Sequence, residues 1–507
     1  MSYQSARDLN RDLELDTDVV IVGSGAGGAV VATELAASGQ RVVVLEEGPN
    51  VSSAALGKMR PSESLRHVWR DGGTTIAVGL GDTPAINVTM GRCVGGSSVL
   101  TGGVCFRIPD PVLRHWQREL GLAEYSTESM REFHEHVERA IHVEEVPEEM
   151  RSRGTQLFIE GATKRGIVMK PMSRNTKGCN GCGRCNFGCP HGAKTSVDLS
   201  YLPRAVAHGT DVWSHTLVER VMMEGSRAVG VRGRLLDGEG GKPKSKLVVH
   251  AKRVVVAAGA WHTPLLLEAS GVGNPRWLGQ HLTLHPGFRM LARFDQPVRG
   301  WDGALQSAWS DSLEDEGLTL TGLFVPVGVL GATMPGVGVE HTRNAAQIDH
   351  LAMFGGIIHD EGGGRIHRAL GREPIVTYRM SERDRARIPR LVRHMGESFF
   401  AAGAKEVFMP VLGERGMGAD AFRKYPIESV PARRIECASQ HPLGSAQMGS
   451  SDKRSVVDGD GRVWGTDQLY VVDGSIVPTS LGVNPQVSIM AIATRLAWRM
   501  RERPLPS

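Results

Sequence analysis

The strongest pattern along the chain is an apolar run at residues 19–22 (VVIV), followed by GSGAGG and an alanine-rich stretch to residue 38. Four consecutive apolar positions suit a strand buried on both faces. The alanine-rich stretch suits a helix, Gly39 supplies its stop, and the run RVVVL at residues 41–45 suits the next strand. Strand, glycine turn, helix and strand in that order make a βαβ unit. Apolar runs at residues 253–257 and 469–472 read as further strands of the same core.

The pattern changes from about residue 285 to 440, where the strand-like runs FRMLARF and LTLTGLFVPVGVL alternate with glycine-rich loops such as 362–364. The segment LDGEGGKPKSKL at 236–247 reads as a turn between two strands. The expected fold class is therefore α/β. Residues 1–110, 190–284 and 441–507 form a Rossmann-like, discontinuous nucleotide-binding lobe, and 111–189 a connecting segment. Residues 285–440 form an inserted substrate-binding lobe on a mainly antiparallel sheet. A length of 507 residues favours two such lobes over one core.

Composition narrows the function classes. The net charge of +4 comes from 59 basic and 55 acidic residues, well mixed along the chain, which gives no footprint for nucleic acid. No run reaches the roughly 18–20 apolar residues of a membrane span. The opening MSYQSARDLNRDLELDTD lacks an apolar export core, so a cytoplasmic protein is expected, at most peripheral to the inner membrane.

In GSGAGG, Gly23, Gly25 and Gly28 take the G-x-G-x-x-G positions. The first permits the tight turn, the second lets backbone approach a pyrophosphate, and the third allows helix to pack closely on sheet. The helix start turns its positive end to the phosphates. Glu46, about 20 residues on, stands where a carboxylate grips ribose hydroxyls. An acid there favours an unphosphorylated ribose, hence NAD or FAD.

Four further segments resemble the glucose–methanol–choline (GMC) oxidoreductases: GRCVGGSSVLT from Gly91, GAWHTPLLLEASGVG from Gly259, LYVVDGS, and HPLGSAQMG with NPQVSIMAIA. They stand in the family's order across most of the chain. The resemblance implies FAD, held by Gly91, Arg92, Gly95, Gly96, Ser97, Val218, Gly259, Asp473 and Pro485 besides the first motif. Some relatives attach FAD through a histidine in the Gly91 stretch. None is present between Gly91 and Arg107, so FAD is expected to be non-covalent.

The resemblance also implies the reaction, oxidation of a small-molecule alcohol by hydride transfer to flavin N5. It places the base for the hydroxyl proton on His441 and a hydrogen bond to the substrate oxygen on Asn484. A histidine titrates near working pH, which suits the first task. Asn484 before Pro485 also reads as a helix N-cap followed by proline at the first helical position. Apolar residues of the inserted lobe (Met290, Leu291, Leu323, Phe324, Leu330, Met353 and Phe354) either line a pocket for a long-chain or sterol alcohol or pack the lobe's own sheet.

Cys179, Cys182, Cys185 and Cys189 are spaced C-x2-C-x2-C-x3-C-P, the bacterial ferredoxin run. Three readings stay open: an iron–sulfur cluster (3Fe–4S or 4Fe–4S), structural zinc, or no metal. A cluster implies a dehydrogenase with a one-electron acceptor, a cytochrome or quinone system. Without one, oxygen reoxidises the flavin and yields hydrogen peroxide. A sugar dehydrogenase, a non-redox lyase that keeps FAD and an electron-transfer module are the alternatives.

Overall fold

The structure, a computed structural model, describes residues 2–238 and 241–506. It is a mixed α/β fold built on two large sheets. The first has eight strands, in the order Tyr3–Ser5, Asp211–Ser214, Val42–Leu45, Leu13–Val22, Pro243–Val256, Arg227–Leu236, Thr216–Glu224, with Leu469–Val471 paired to Pro243–Val256. Its Rossmann-like half is parallel: residues 19–22 pair with 42–45 on one side and with 253–256 on the other. Val19, Val20 and Ile21 have no exposed surface, the state an unbroken apolar run calls for.

The motif helix Ala26–Ala37 is buried almost all round, because the C-terminal helix Gln486–Glu502 and the helix Tyr201–Ala207 both pack on it. That packing depends on missing side chains. A Cβ on Gly27 would lie 1.9 Å from the Val472 carbonyl oxygen, and one on Gly28 2.1 Å from that of Gly23.

Strand Pro243–Val256 joins two regimes. Its first half pairs antiparallel with Arg227–Leu236, and its last residues pair parallel with Leu469–Val471. The expected turn at 236–247 falls between the first two of these strands, and residues 239 and 240 of it lie outside the described residues.

The second sheet has eleven strands and is mainly antiparallel, with Gly287–Arg293 pairing to Leu351–Ile358 near its middle. Its strands do not all come from residues 285–440. Ile76–Gly79 and Ile86–Val88 join it from the first segment, and Lys170–Pro171 from the connecting one. These strands are two to four residues long, too short for a period to show, so periodicity gives no sign of them. The run LTLTGLFVPVGVL is strand only over Leu318–Gly322; Val327–Ala332 is helix, started by Pro326 at its N-cap.

Met290 and Phe354 lie in the core of this sheet, where Phe354 stacks on Phe158. Leu291, Phe324, Leu330 and Met353 form a smaller core, with Leu323 packed against it. None of the seven lines the cavities of about 710, 650 and 1120 Å³ found among the described residues. Among the described residues no helix is long and apolar enough to cross a membrane.

Candidate active site

A cavity of about 650 Å³ opens where the first sheet meets the second. Gly23, Gly25 and Glu46 line it from the βαβ unit, Gly91, Gly96 and Ser97 from the second glycine segment. Val218, Gly259, Asp473, Pro485 and His441 complete the sequence-expected lining. Eleven candidates, widely separated in the chain, thus face one space. A Cβ on Gly25 or on Gly259 would meet no protein atom within 4 Å, so each of these glycines leaves open room on the cavity side rather than filling a packing contact. A long, glycine-lined cleft at a helix start fits a dinucleotide such as FAD.

Three cofactor candidates act behind the wall. Gly28 serves the helix–sheet packing described above. Gly95 adopts φ +91°, and its N–H donates to Ser24 Oγ at 3.0 Å. Ser24 Oγ–H in turn donates to Glu46 Oε2 at 2.6 Å, so one hydroxyl ties the two glycine segments together. Arg92 turns its guanidinium toward Glu47, 3.7 Å away.

Glu46, which the sequence places against a ribose, is tied into the protein by its Ser24 bond. It also accepts the Ser24 and Gly48 N–H groups, and burial raises its pKa above the usual carboxylate range despite these bonds. Asp473 takes the Gly259 N–H at 2.9 Å, the Thr263 hydroxyl at 2.5 Å and the Ser475 N–H at 2.7 Å. It fixes the start of helix Gly259–Ala269 against its own loop.

Sequence reasoning missed an ion-pair cluster on the same cavity. Arg70 bridges Glu47 at 2.9 Å and Glu373 at 3.1 Å, Arg372 also pairs with Glu47, and His262 Nε2 lies 2.9 Å from Glu373. Burial works against the Glu373 carboxylate, but His262 and Arg70 outweigh it and hold the pKa at about 2. The partners are far apart in the chain and form no motif.

At the other end, the Asn484 carboxamide nitrogen lies 3.0 Å from His441 Nε2. The expected capping role is not what this side chain does. Helix Gln486–Glu502 starts one residue later than expected, with Pro485 at its N-cap position and no side-chain cap. With Pro485 at the N-cap position Asn484 lies one residue outside the helix, and its side chain faces the histidine instead. Burial, with His285 beside it, holds the His441 pKa well below the ordinary histidine value. His285, unmarked by any motif, sets its Nδ1 3.3 Å from His441 Nδ1. The loop that carries Asn484 also lines a second cavity of about 710 Å³, together with Thr283, Thr319 and His359.

The four clustered cysteines share one small cavity of about 10 Å³ with Arg174 and Lys194. All are free thiols, Cys185 buried and Cys182 exposed. Among the described residues, no three His, Cys, Asp or Glu side chains are placed to hold a metal ion. Among the described residues the ferredoxin spacing is present without a preformed donor set, and the four thiols differ in exposure.

Family models described as GMC oxidoreductase match residues 17–287 and 368–493. An uncharacterised GMC-type oxidoreductase of Mycobacterium tuberculosis is 37% identical over 481 residues, covering 95% of this chain and 75% of the relative. The long-chain-alcohol oxidase FAO3 of Arabidopsis thaliana is 28% identical over 529 residues, covering 96% and 69%. Among solved structures, pyridoxine 4-oxidase from Mesorbium loti superposes with a TM-score of 0.74 at 19% identity, covering 96% of this chain and 100% of that one. The chain belongs to the GMC oxidoreductases, a family of FAD-binding flavoproteins.

Proposed function

We propose that this protein oxidises an alcohol to an aldehyde or ketone. The reading is carried by one observation: His441 and Asn484 meet at 3.0 Å, and His441 lies on the wall of the glycine-lined cavity. Gly23, Gly25, Gly91, Gly96 and Gly259 would hold FAD, which supplies the acceptor for the carbinol hydride. His441 and Asn484 hold the substrate oxygen, and two fixed polar groups on one oxygen restrict the carbinol C–H to a narrow range of approach. The helix start at Gln486 adds its positive end near the site.

The substrate class rests on relatives. The long-chain-alcohol oxidases of Arabidopsis thaliana favour a long aliphatic alcohol over a sugar. Of the two readings the sequence left open for the apolar residues of the inserted lobe, core packing is the one the structure bears out, and they add nothing to the substrate class. Anaerobic addition of ethanol, 1-dodecanol, a sterol and glucose to the FAD-loaded protein tests the reading. Bleaching of the flavin by the long-chain alcohol supports it, bleaching by glucose alone replaces the substrate class, and no bleaching by any of them favours the lyase.

The route of the electrons is a second proposal, an iron–sulfur cluster at the cysteine segment with a one-electron acceptor beyond it. What supports it, besides the spacing, is charge. Arg174 and Lys194 are 1% and 2% exposed beside the four thiols; the Arg174 guanidinium donates to Cys185 Sγ at 3.0 Å, and Lys194 Nζ donates to the carbonyls of Val99, Thr101 and Cys185. Buried cations call for an anion, which thiolates would supply. Iron and acid-labile sulfide assays decide between this and direct reoxidation by oxygen.

A further inference from the structure

His285 is a buried histidine that the oxidation described above does not use, and three features single it out. It has no exposed surface, and its backbone sits at φ +47°, a left-handed conformation uncommon for a residue with a side chain. The conformation is held in place: the Asp360 carboxylate accepts the N–H of Leu284 at 2.9 Å and that of His285 at 3.0 Å, and also the Tyr378 hydroxyl. Strain kept by so many bonds points to a function at the residue.

The hydrogen bonds of its ring fix where its proton sits. Nε2 accepts from two backbone N–H groups, those of Leu481 at 2.9 Å and Gly482 at 3.2 Å. A backbone N–H can only donate, so Nε2 carries a lone pair. A neutral imidazole then has its hydrogen on Nδ1. Burial, with His359 nearby, holds the His285 pKa down at about 3, so the ring is neutral at working pH. Among the described residues the ring partner of Nδ1 is His441 Nδ1, which must therefore accept. The hydrogen of His441 is left on Nε2, facing Asn484. The carboxamide of Asn484 can rotate to offer its oxygen to that N–H, whereas the backbone at 481–482 cannot reverse.

We propose that His285 is a positioning residue that fixes the tautomer of His441, so that His441 presents Nε2–H to the active-site cavity and meets the substrate oxygen as a hydrogen-bond donor. This inference rests on the alcohol-oxidising reading and changes the part expected of His441 from its sequence. To take the alcohol's proton on Nε2, both rings must exchange tautomers, and His285 would then turn an N–H against the two backbone N–H groups of Leu481 and Gly482. The base-ready arrangement is a minor state that His285 suppresses, and it is in that state that the bare Nε2 of His441 accepts the alcohol's hydroxyl proton. The same loop is held from its other side, where Thr319 Oγ1 donates to the Gly482 carbonyl at 2.9 Å and lies 2.8 Å from His359 Nε2. Among the described residues the charged or titratable groups around the His285 ring and backbone are His441, His359 and Asp360, with Tyr378 behind Asp360.

The test reads protons directly and needs no substrate. The FAD-loaded enzyme is labelled with 15N-histidine, and long-range 1H–15N spectra are recorded, with signals assigned by their loss in His285→Gln and His441→Gln. The expected result is protonated Nδ1 and bare Nε2 for His285, and the reverse for His441. A bare Nε2 on His441, or a proton on Nε2 of His285, overturns the proposal. His285→Gln offers an amide oxygen to Leu481 and Gly482 while removing the link to His441. In that variant the two His441 nitrogen shifts should move toward each other as both tautomers become populated, with FAD still bound. If they stay as in the wild type, His285 does not set the tautomer. Failure of every alcohol to bleach the flavin, with the tautomers as stated, would count against the alcohol reading and not against this pair.

Discussion

Ser24→Ala isolates the bond that holds the two glycine segments together. The Ser24 side chain has no exposed surface, donates to Glu46 at 2.6 Å and accepts the Gly95 N–H at 3.0 Å. The substitution removes a hydrogen bond to a carboxyl group, worth about 1.5–3 kcal/mol where the carboxyl is ionised, and leaves a buried N–H at Gly95 without its acceptor, at about 1–3 kcal/mol. Glu46 keeps the N–H groups of Ser24 and Gly48, so part of the first loss is recovered. A net cost of about 2–3 kcal/mol is expected. Because the loosened segments form the cleft wall, the cost falls on FAD binding and amounts to a 30- to 150-fold weaker Kd at about 1.4 kcal/mol per tenfold. The assay is quenching of FAD fluorescence on titration into apoprotein, with circular dichroism as the control for folding. A Kd within about twofold of wild type in a folded variant would refute the idea that this hydroxyl organises the cleft.

Four other outcomes follow from the structure. Gly27→Ala puts a Cβ 1.9 Å from the Val472 carbonyl and should cost at least the ~1–3 kcal/mol of overpacking, read as a lower thermal midpoint or loss of soluble protein. Asn484→Ala should slow anaerobic flavin reduction by about 10- to 100-fold while helix content is unchanged, since the side chain does not cap Gln486–Glu502; an equal loss of helix signal would return it to a structural role. The Glu373 pKa is lowered from 4.5 to about 2, so its stabilising contribution is present above pH 4.5 and is lost as pH falls toward 2. Wild type should therefore lose more thermal stability than Glu373→Gln between pH 5 and pH 3, and parallel curves would sink the assignment. Cys185→Ser should abolish iron and acid-labile sulfide if the cysteine segment holds a cluster, and iron-free wild type with full flavin content would remove the cluster from the account.

The βαβ unit was legible because each of its signals is local. An apolar run, a glycine turn and a helix stop lie within residues 19–45, and the structure places strands and helix there. The cleft was legible for the same reason, as glycines mark where backbone must approach a ligand. What stayed hidden depends on long-range pairing. Glu373 meets Arg70 across 303 positions, and His285 meets His441 across 156. Neither pair has a spacing that a chain can advertise. Asn484 shows the opposite hazard, since a strong local pattern, asparagine before proline at a helix start, suggested a cap where the fold uses the side chain elsewhere. The short strands at 76–79 and 86–88 were invisible because their partners in the second sheet, not their own composition, make them strands.

The central claim is that His441 and Asn484 hold an alcohol's oxygen beside FAD for hydride transfer. It is tested most directly by anaerobic stopped-flow reduction of the FAD-loaded wild type and His441→Ala with 1-dodecanol and its 1,1-dideuterated form. The account predicts bleaching of the oxidised flavin band in wild type, slowed severalfold by deuterium, and a rate lower by roughly 100-fold or more in the variant. Equal reduction of wild type and His441→Ala by the alcohol would contradict it.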